Sequence, residues 1–507
     1  MRTATVIALV ATASLWTTAH AAEITAETVR AALPKLDTIV AEVLDKTAVP
    51  GIAVGVVVGD EVVYLKGYGV REAGTDLAVD TDTIFQIASV SKPFASTAVA
   101  ALVGDGGITW DSHIADLDPG FRMVDPWVTR EVTLRDAFSH RTGMPGQAGD
   151  LLEDLGYDRD EILRRFRYLQ PTGMFRASYA YTNFMLTEAA VAAAMSAGMS
   201  WEDLITTRVF APLGMTRTSP READFYAAEN HAVIHVITDG VATPRYQRHP
   251  DAQSPAGGMS STVRDMANWM VLQLNDGMFE GKQVVDAAAL AATHEPQIVK
   301  GKARDGRASF YGLGYNVDYG PDGLVRVSHA GAFFTGVRTD VTFLPGEKLG
   351  IVVLTNAFPT GAPEAITNAF LDTLHLGAPQ EDYLGLYEPI FAAMLETPAY
   401  PAPAEPVAAM PAAAYAGVYA NDYYGDAEVS AGEDGALVLM LGPGKRPFPL
   451  SHLDRDAFTF AFVGLGDEGT HEVLASFGSA NGTEADSLTI DVLDAHGQGT
   501  FTRAVTP

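Results

Sequence analysis

Three short motifs carry residue types that could do nucleophilic chemistry. Ser89-Val90-Ser91-Lys92 sets a hydroxyl and an amine three residues apart. A serine hydroxyl is a weak nucleophile until a base lies within hydrogen-bond reach. On a helix, positions i and i+3 share a face, so Lys92 can approach Ser89. A lysine acts as that base only when burial or neighbouring cations lower its pKa. Pro93 suits a first helical turn, where its missing N–H costs nothing. That puts Ser89 at a helix N-terminus, where backbone N–H groups favour developing negative charge. Tyr181-Thr182-Asn183 adds a phenol able to shuttle a proton to a leaving group, and an amide able to hold lysine and substrate together. In His329-Ala330-Gly331 the glycine would let a substrate approach a strand edge closely. Singly, S-x-x-K is common by chance, Tyr181 reads as a core aromatic and His329 as a satisfied loop residue. Together, in this order, they read as one site.

The elements that must position these residues follow from periodicity. Thr25 to Thr47 carries apolar residues at helical spacing: Val29, Leu33, Leu36, Ile39, Val40 and Val43. Gly51–Gly59 and Glu61–Gly69 around Gly59-Asp60 predict a β-hairpin, and Val337–Leu344 with Leu349–Thr355 predicts a second around Pro345–Lys348. Between the hairpins the pattern is mostly helical, at 93–104, 184–198 and 262–276. Strands at both ends of a long helical insert predict an α+β layout with one sheet assembled from distant parts of the chain. Helices are expected at Pro363–His375 and Glu381–Leu395.

Composition divides the chain further. Met1-Arg2, the apolar run Val6–Trp16 and Ala19-His20-Ala21 predict a signal peptide over 1–21, and export to a bacterial periplasm or beyond. No later segment reaches membrane-spanning length without charges. The hydrolytic motifs fall in 22–397. The Pro/Ala tract in 398–411 predicts a linker, with interdomain freedom unless docking orders it. From 412 to 507, alternating runs such as Ala436–Leu441, Ala457–Phe462 and Ser487–Val492 predict a small antiparallel barrel or sandwich.

The ordered motifs resemble those of serine hydrolases related to class C β-lactamases and penicillin-binding proteins, which carry S-x-x-K, Y-x-N and then K-T-G or H-x-G. The resemblance runs over roughly 25–376 and takes in Val132–Pro145, Ser254–Ser261 and Val352–Asn356. Tyr415-Ala-Gly417-Val-Tyr419 with Tyr424-Gly425 resembles the lipocalin-like domain appended to some members. The resemblance implies a β-lactamase/transpeptidase-like domain followed by a small β-barrel. It implies Ser89 as nucleophile, Lys92 as its base partner and Tyr181 as proton donor to the leaving group. Asn183, His329 and Gly331 would position substrate, the last two on an edge strand, and the N–H groups of Ser89 and Ala332 would form the oxyanion hole. No metal or other cofactor is implied. Where K-T-G members place a fixed cation, His329 is largely neutral at pH 7. That weakens the case for β-lactams and peptide carboxylates and favours small esters, amides or short peptides, in the manner of esterases and D-aminopeptidases.

Other classes fit less well. Lys+Arg 34 against Asp+Glu 63 gives a charge of −29, which repels nucleic acid and anionic membranes. Zero cysteines exclude disulfides and thiolate chemistry. No G-x-S-x-G supports an α/β-hydrolase elbow, and Gly257-Gly258 lacks the G-K-[ST] of a phosphate loop. His231-Ala-Val-Ile-His235 reads as strand, which separates its imidazoles by ~13 Å and argues against a metal site. A non-catalytic penicillin-binding-like sensor or scaffold would tolerate loss of Lys92 or Tyr181, yet every expected position is filled.

Overall fold

The structure, a computed structural model, describes residues 24–320, 323–394, 398–464 and 470–504. The expected signal segment lies outside the described residues. Helix α1 (Ala26–Lys46) starts at a capping box between Thr25 and Thr28 and buries Val29, Leu36, Val40 and Val43. Strands β1 (Gly51–Val58) and β2 (Glu61–Gly69) form the first expected hairpin, with Gly59 at φ 59 in its turn. Val337–Leu344 and Leu349–Thr355 form the second.

The two hairpins meet. β1 pairs antiparallel with Leu349–Thr355, placing Val54 opposite Val353. Both faces of this central sheet are covered. Ile52, Val54, Val56, Ile351 and Val353 pack with α1 and the Ala362–Leu376 helix. Ala53, Val57, Val352 and Leu354 face the opposite core, with Phe94 from helix α2 (Ser91–Gly104) and Trp269 from the Val263–Leu274 helix. Two covered faces explain the near-continuous apolar reading of β1.

The sheet has eight strands, ordered β2, β1, Leu349–Thr355, Val337–Leu344, Val325–Phe333, Asn316–Tyr319, Ala308–Tyr311, Ile298–Lys302. The mostly helical expectation between the hairpins is therefore corrected over 298–333, where four strands extend the sheet. His329 and Gly331 lie on one of these, Val325–Phe333. That strand is not a sheet edge, but its partner Asn316–Tyr319 reaches only from Val325 to Ser328. From His329 onward it pairs on one side alone, with Val337–Val341.

After the Tyr383–Ala393 helix, the Pro/Ala tract runs without helix or strand. Its end is pinned: Val407 N–H donates to Asp454 Oδ1 at 2.7 Å, and Met410 N–H to the Tyr415 hydroxyl at 2.8 Å. Eight antiparallel strands from Gly417–Ala420 to Thr500–Arg503 then close into a barrel, sealed by Tyr419 opposite Arg503. Tyr415, Phe458 and Phe477 are buried there in mutual ring contact. The barrel shares a continuous core with the sheet-and-helix body, and its Tyr423 and Tyr424 belong to the same buried cluster as Leu152, Leu155 and Phe184.

Candidate active site

Ser89 lies in a 3-10 turn, Ala88–Val90, that runs directly into α2. Ala88 holds a left-handed φ of 46, a conformation that costs a residue with a Cβ ~1–3 kcal/mol and persists only where packing enforces it. Burial of Ala88 among Ile234, Phe333 and Val337 supplies that packing. From Thr83 to Leu102 every residue but Ser89 is buried, so the turn presents one side chain.

Lys92, one turn later, has no exposed surface. Its Nζ donates to Ser89 Oγ at 3.0 Å, Asn183 Oδ1 at 2.7 Å and the Ala256 carbonyl at 2.8 Å. Three acceptors match the three protons of an ammonium. After loss of one proton, two N–H bonds still serve Asn183 and Ala256, and the lone pair faces the Ser89 hydroxyl. Burial lowers the Lys92 pKa to about 7, against an opposing pull from the Asp150 carboxylate.

Tyr181 arrives on an extended segment tied to the 140–147 loop: Ala180 N–H donates to the His140 carbonyl, and Gln147 N–H to the Tyr181 carbonyl. The buried Asp136 carboxylate fastens both runs by accepting from Arg141 and Arg176. The Tyr181 hydroxyl donates to Ser89 Oγ at 2.9 Å, and Lys92 Nζ lies 4.5 Å from the centre of its ring. Burial pushes the phenol above its ordinary range, so it stays protonated at neutral pH. Asn183 opens the Asn183–Ser196 helix, and its Nδ2 donates to Asp150 Oδ2 at 2.9 Å.

His329 is buried, and burial drives its pKa well below 6.5. Its Nδ1 lies 2.7 Å from the Ala330 carbonyl, which can only accept, so the neutral ring carries its proton there. Nε2 then accepts from the Tyr311 hydroxyl at 2.9 Å. The close approach that Gly331 permits is to the chain itself. A Cβ there would sit 2.3 Å from the Ile87 carbonyl and 3.1 Å from Ser89 N. Ala332 follows, opposite Arg338.

The structure thus gathers Ser89, Lys92, Tyr181, Asn183 and the Gly331 strand, with His329 turned to Tyr311. Ser91 accepts from Met259 N–H, a structural contact. His235 is engaged by backbone: Nδ1 with the Asn356 carbonyl and Nε2 with Ala73 N–H. Sequence reasoning missed the aromatic wall formed by Tyr311, Tyr179 and His140, whose imidazole lies 4.5 Å from the Tyr181 ring. His140 stands in the quoted Val132–Pro145 segment, but Tyr311 and Asp150 belong to no motif.

A serine, a lysine of lowered pKa and a protonated phenol on one oxygen, under an antiparallel sheet, define a serine hydrolase of the β-lactamase and transpeptidase class. The chain belongs to the beta-lactamase family, whose sequence profile matches residues 36–374. It is 31% identical over 317 residues to penicillin-binding protein 4 of Amycolatopsis lactamdurans, covering 61% of this chain and 81% of that protein. It is 27% identical over 444 residues to the unguisins hydrolase ungD of Aspergillus violaceofuscus, covering 80% of this chain and 76% of the relative. The octameric penicillin-binding protein homologue from Pyrococcus abyssi shares the fold, with TM-score 0.60 and 20% identity over 90% of this chain and 98% of that one.

Proposed function

We propose that the protein hydrolyses small esters or amides, including short peptides with D-amino acids, through a Ser89 acyl-enzyme. The observation that carries this reading is the shared oxygen: Lys92 Nζ at 3.0 Å and the Tyr181 hydroxyl at 2.9 Å both meet Ser89 Oγ. Neutral Lys92 takes the hydroxyl proton as Ser89 Oγ bonds to the substrate carbonyl carbon. The N–H groups of Ser89 and Ala332 receive the oxyanion. As the bond to the leaving group breaks, Tyr181 gives that group its proton and regains one from Lys92. Water then adds to the acyl-enzyme by the reverse proton path, releasing the acid and free Ser89.

We read 22–397 as the hydrolytic unit, 398–411 as the connector and 412–507 as the lipocalin-like unit. On the leader-like pattern at 1–21 we also read the protein as exported, to a periplasm or outside the cell. Among the described residues no helix is long and apolar enough to cross a membrane.

A second reading, a β-lactamase or DD-peptidase, draws on the likeness to penicillin-binding protein 4. It is weakened by neutral His329 where K-T-G offers a cation. Initial rates on p-nitrophenyl butyrate, D-alanyl p-nitroanilide and a chromogenic cephalosporin, with Ser89→Ala as blank, separate these readings. Ester or D-amide turnover that vanishes in Ser89→Ala supports the first. Cephalosporin turnover alone supports the second. Silence on all three, with Ser89 unlabelled by a fluorophosphonate, leaves a non-catalytic scaffold.

A further inference from the structure

Asn183 has two faces, and each is committed. Oδ1 accepts from Lys92 Nζ at 2.7 Å, and Nδ2 donates to Asp150 Oδ2 at 2.9 Å. Flipping the amide would set NH₂ against the lysine N–H groups and carbonyl oxygen against carboxylate, so Asp150 excludes that orientation. The same carboxylate raises the proton affinity of Lys92. Asp150 thus meets the base through the Asn183 amide, and bears on both its direction and its charge.

Asp150 is itself held from the barrel. Gly149, just before it, is left-handed at φ 99, and a Cβ there would lie 2.6 Å from the Phe184 ring. Its N–H donates to the Tyr423 hydroxyl at 3.0 Å. Tyr423 belongs to the turn after the first barrel strand, where Asn421 Oδ1 accepts from Tyr423 N–H and Tyr424 N–H. Arg165 clamps that turn by donating to the Asp422 and Tyr423 carbonyls at 3.0 and 2.7 Å, and the Tyr157 hydroxyl donates to the Tyr424 carbonyl at 2.9 Å. At the far end of the Asp150–Asp154 helix, Arg446 of the barrel donates to the Asp154 carbonyl at 2.9 Å. The helix that carries Asp150 is thus gripped at both ends by the barrel.

We propose that Asp150 is a positioning residue that fixes the Asn183 amide and the protonation of Lys92, and that Tyr423 of the barrel braces it. The barrel is then a working part of the nucleophile's support. This deepens the Ser89 acyl-enzyme reading and rests on it. Among the described residues, the other titratable groups facing Lys92 are Tyr181, protonated, and the imidazoles of His140 and His329, both held neutral by burial. Asp150 is thus the group whose removal changes the charge around the amine.

The test uses the full chain and p-nitrophenyl butyrate between pH 5 and 10, with Ser89→Ala as blank. Asp150→Asn should lower kcat about tenfold with KM little changed. It should also move the acidic limb of kcat/KM down by about one pH unit, since the amine loses its proton more readily. Asp150→Glu should keep the limb at its wild-type position whatever its kcat. Tyr423→Phe should lower kcat about threefold or more with the limb in place. An unmoved limb in Asp150→Asn overturns the role of Asp150, and wild-type kcat in Tyr423→Phe overturns the brace. Should the wild type show no Ser89-dependent turnover, the acyl-enzyme reading fails instead. The ¹⁵Nζ titration of Lys92 by NMR then decides: a lower midpoint in Asp150→Asn keeps the Asp150 role, and an unchanged one ends it. If Asp150→Asn does not fold, Asp150→Ala is read by the same limb.

Discussion

Lys92 and Tyr181 meet face to edge of one oxygen: the amine lies 4.5 Å above the phenol ring, while both polar ends reach Ser89 Oγ. A protonated lysine here is attracted by the ring, and in the acyl-enzyme path proposed above it would return a proton to the phenol once the leaving group has drawn one away. Tyr181→Phe keeps the ring and removes the donor. Amide turnover should fall about 10²–10⁴-fold, because an amine cannot leave unprotonated. Hydrolysis of a p-nitrophenyl ester, whose phenolate leaves readily, should fall far less. Parallel kcat/KM measurements on the two substrates check this, and equal losses would contradict the donor role.

The lowered Lys92 pKa gives the rate a direction in pH. If Lys92 is the base, as proposed, it must be neutral, so kcat/KM should rise with pH through about 7 and flatten above it. Tyr181 lies above its ordinary 10 and adds no basic limb below that. Stability follows the same proton. Between about 7 and 10.5 the unfolded chain holds a proton that the folded one lacks, so this group makes stability rise with pH across that window. Urea melts from pH 7 to 10, wild type against Lys92→Met, isolate that slope.

Gly331→Ala should be damaging without touching substrate. The added carbon would lie 2.3 Å from the Ile87 carbonyl and 2.4 Å from Thr339 Oγ1, so either strand or nucleophile turn must retreat. Overpacking of this kind costs ~1–3 kcal/mol. The retreat should lower kcat/KM by about 10² through misplacement of Ser89. Thermal melts and ester kinetics on the same preparation separate the two losses.

Asp136→Asn should loosen the segment that carries Tyr181. Burial alone would raise the Asp136 pKa, but hydrogen bonds from Arg176 and Arg141 outweigh it and hold the carboxyl below its ordinary 3.8. Its contribution to stability is present above that value and is lost as pH falls through the lower folded pKa. Asn keeps one acceptor oxygen but removes the charge and the second acceptor that Arg141 and Arg176 share. That should cost about 3 kcal/mol, measured by denaturant melts at pH 7.

Much of the site is legible in the sequence because its chemistry is local or ordered along the chain. Ser89 and Lys92 sit one turn apart, and the two hairpins and the helices at 26–46 and 362–376 fall where apolar periodicity puts them. The Val325–Phe333 strand was harder to see. It alternates correctly, but its buried face includes His329 and Gly331, which an apolar template does not score. The sheet beyond it is short and exposed, as in Ile298–Lys302. Contacts without a motif leave no trace at all. Asp150 is 33 positions from Asn183, and Tyr423 is 274 from Gly149. Nothing in either neighbourhood encodes its partner.

The shared core has a consequence for anyone recombining this gene. Cutting the chain at the Pro/Ala tract looks safe on the page of letters, yet it would split one buried core and strip Gly149, Tyr157 and Arg165 of their hydrogen-bond partners on the Tyr423–Tyr424 turn. A barrel borrowed from a relative would need matching tyrosines in its first turn, as well as a compatible closure. The joint that invites shuffling by composition is the one that geometry forbids, and the two halves must drift in step.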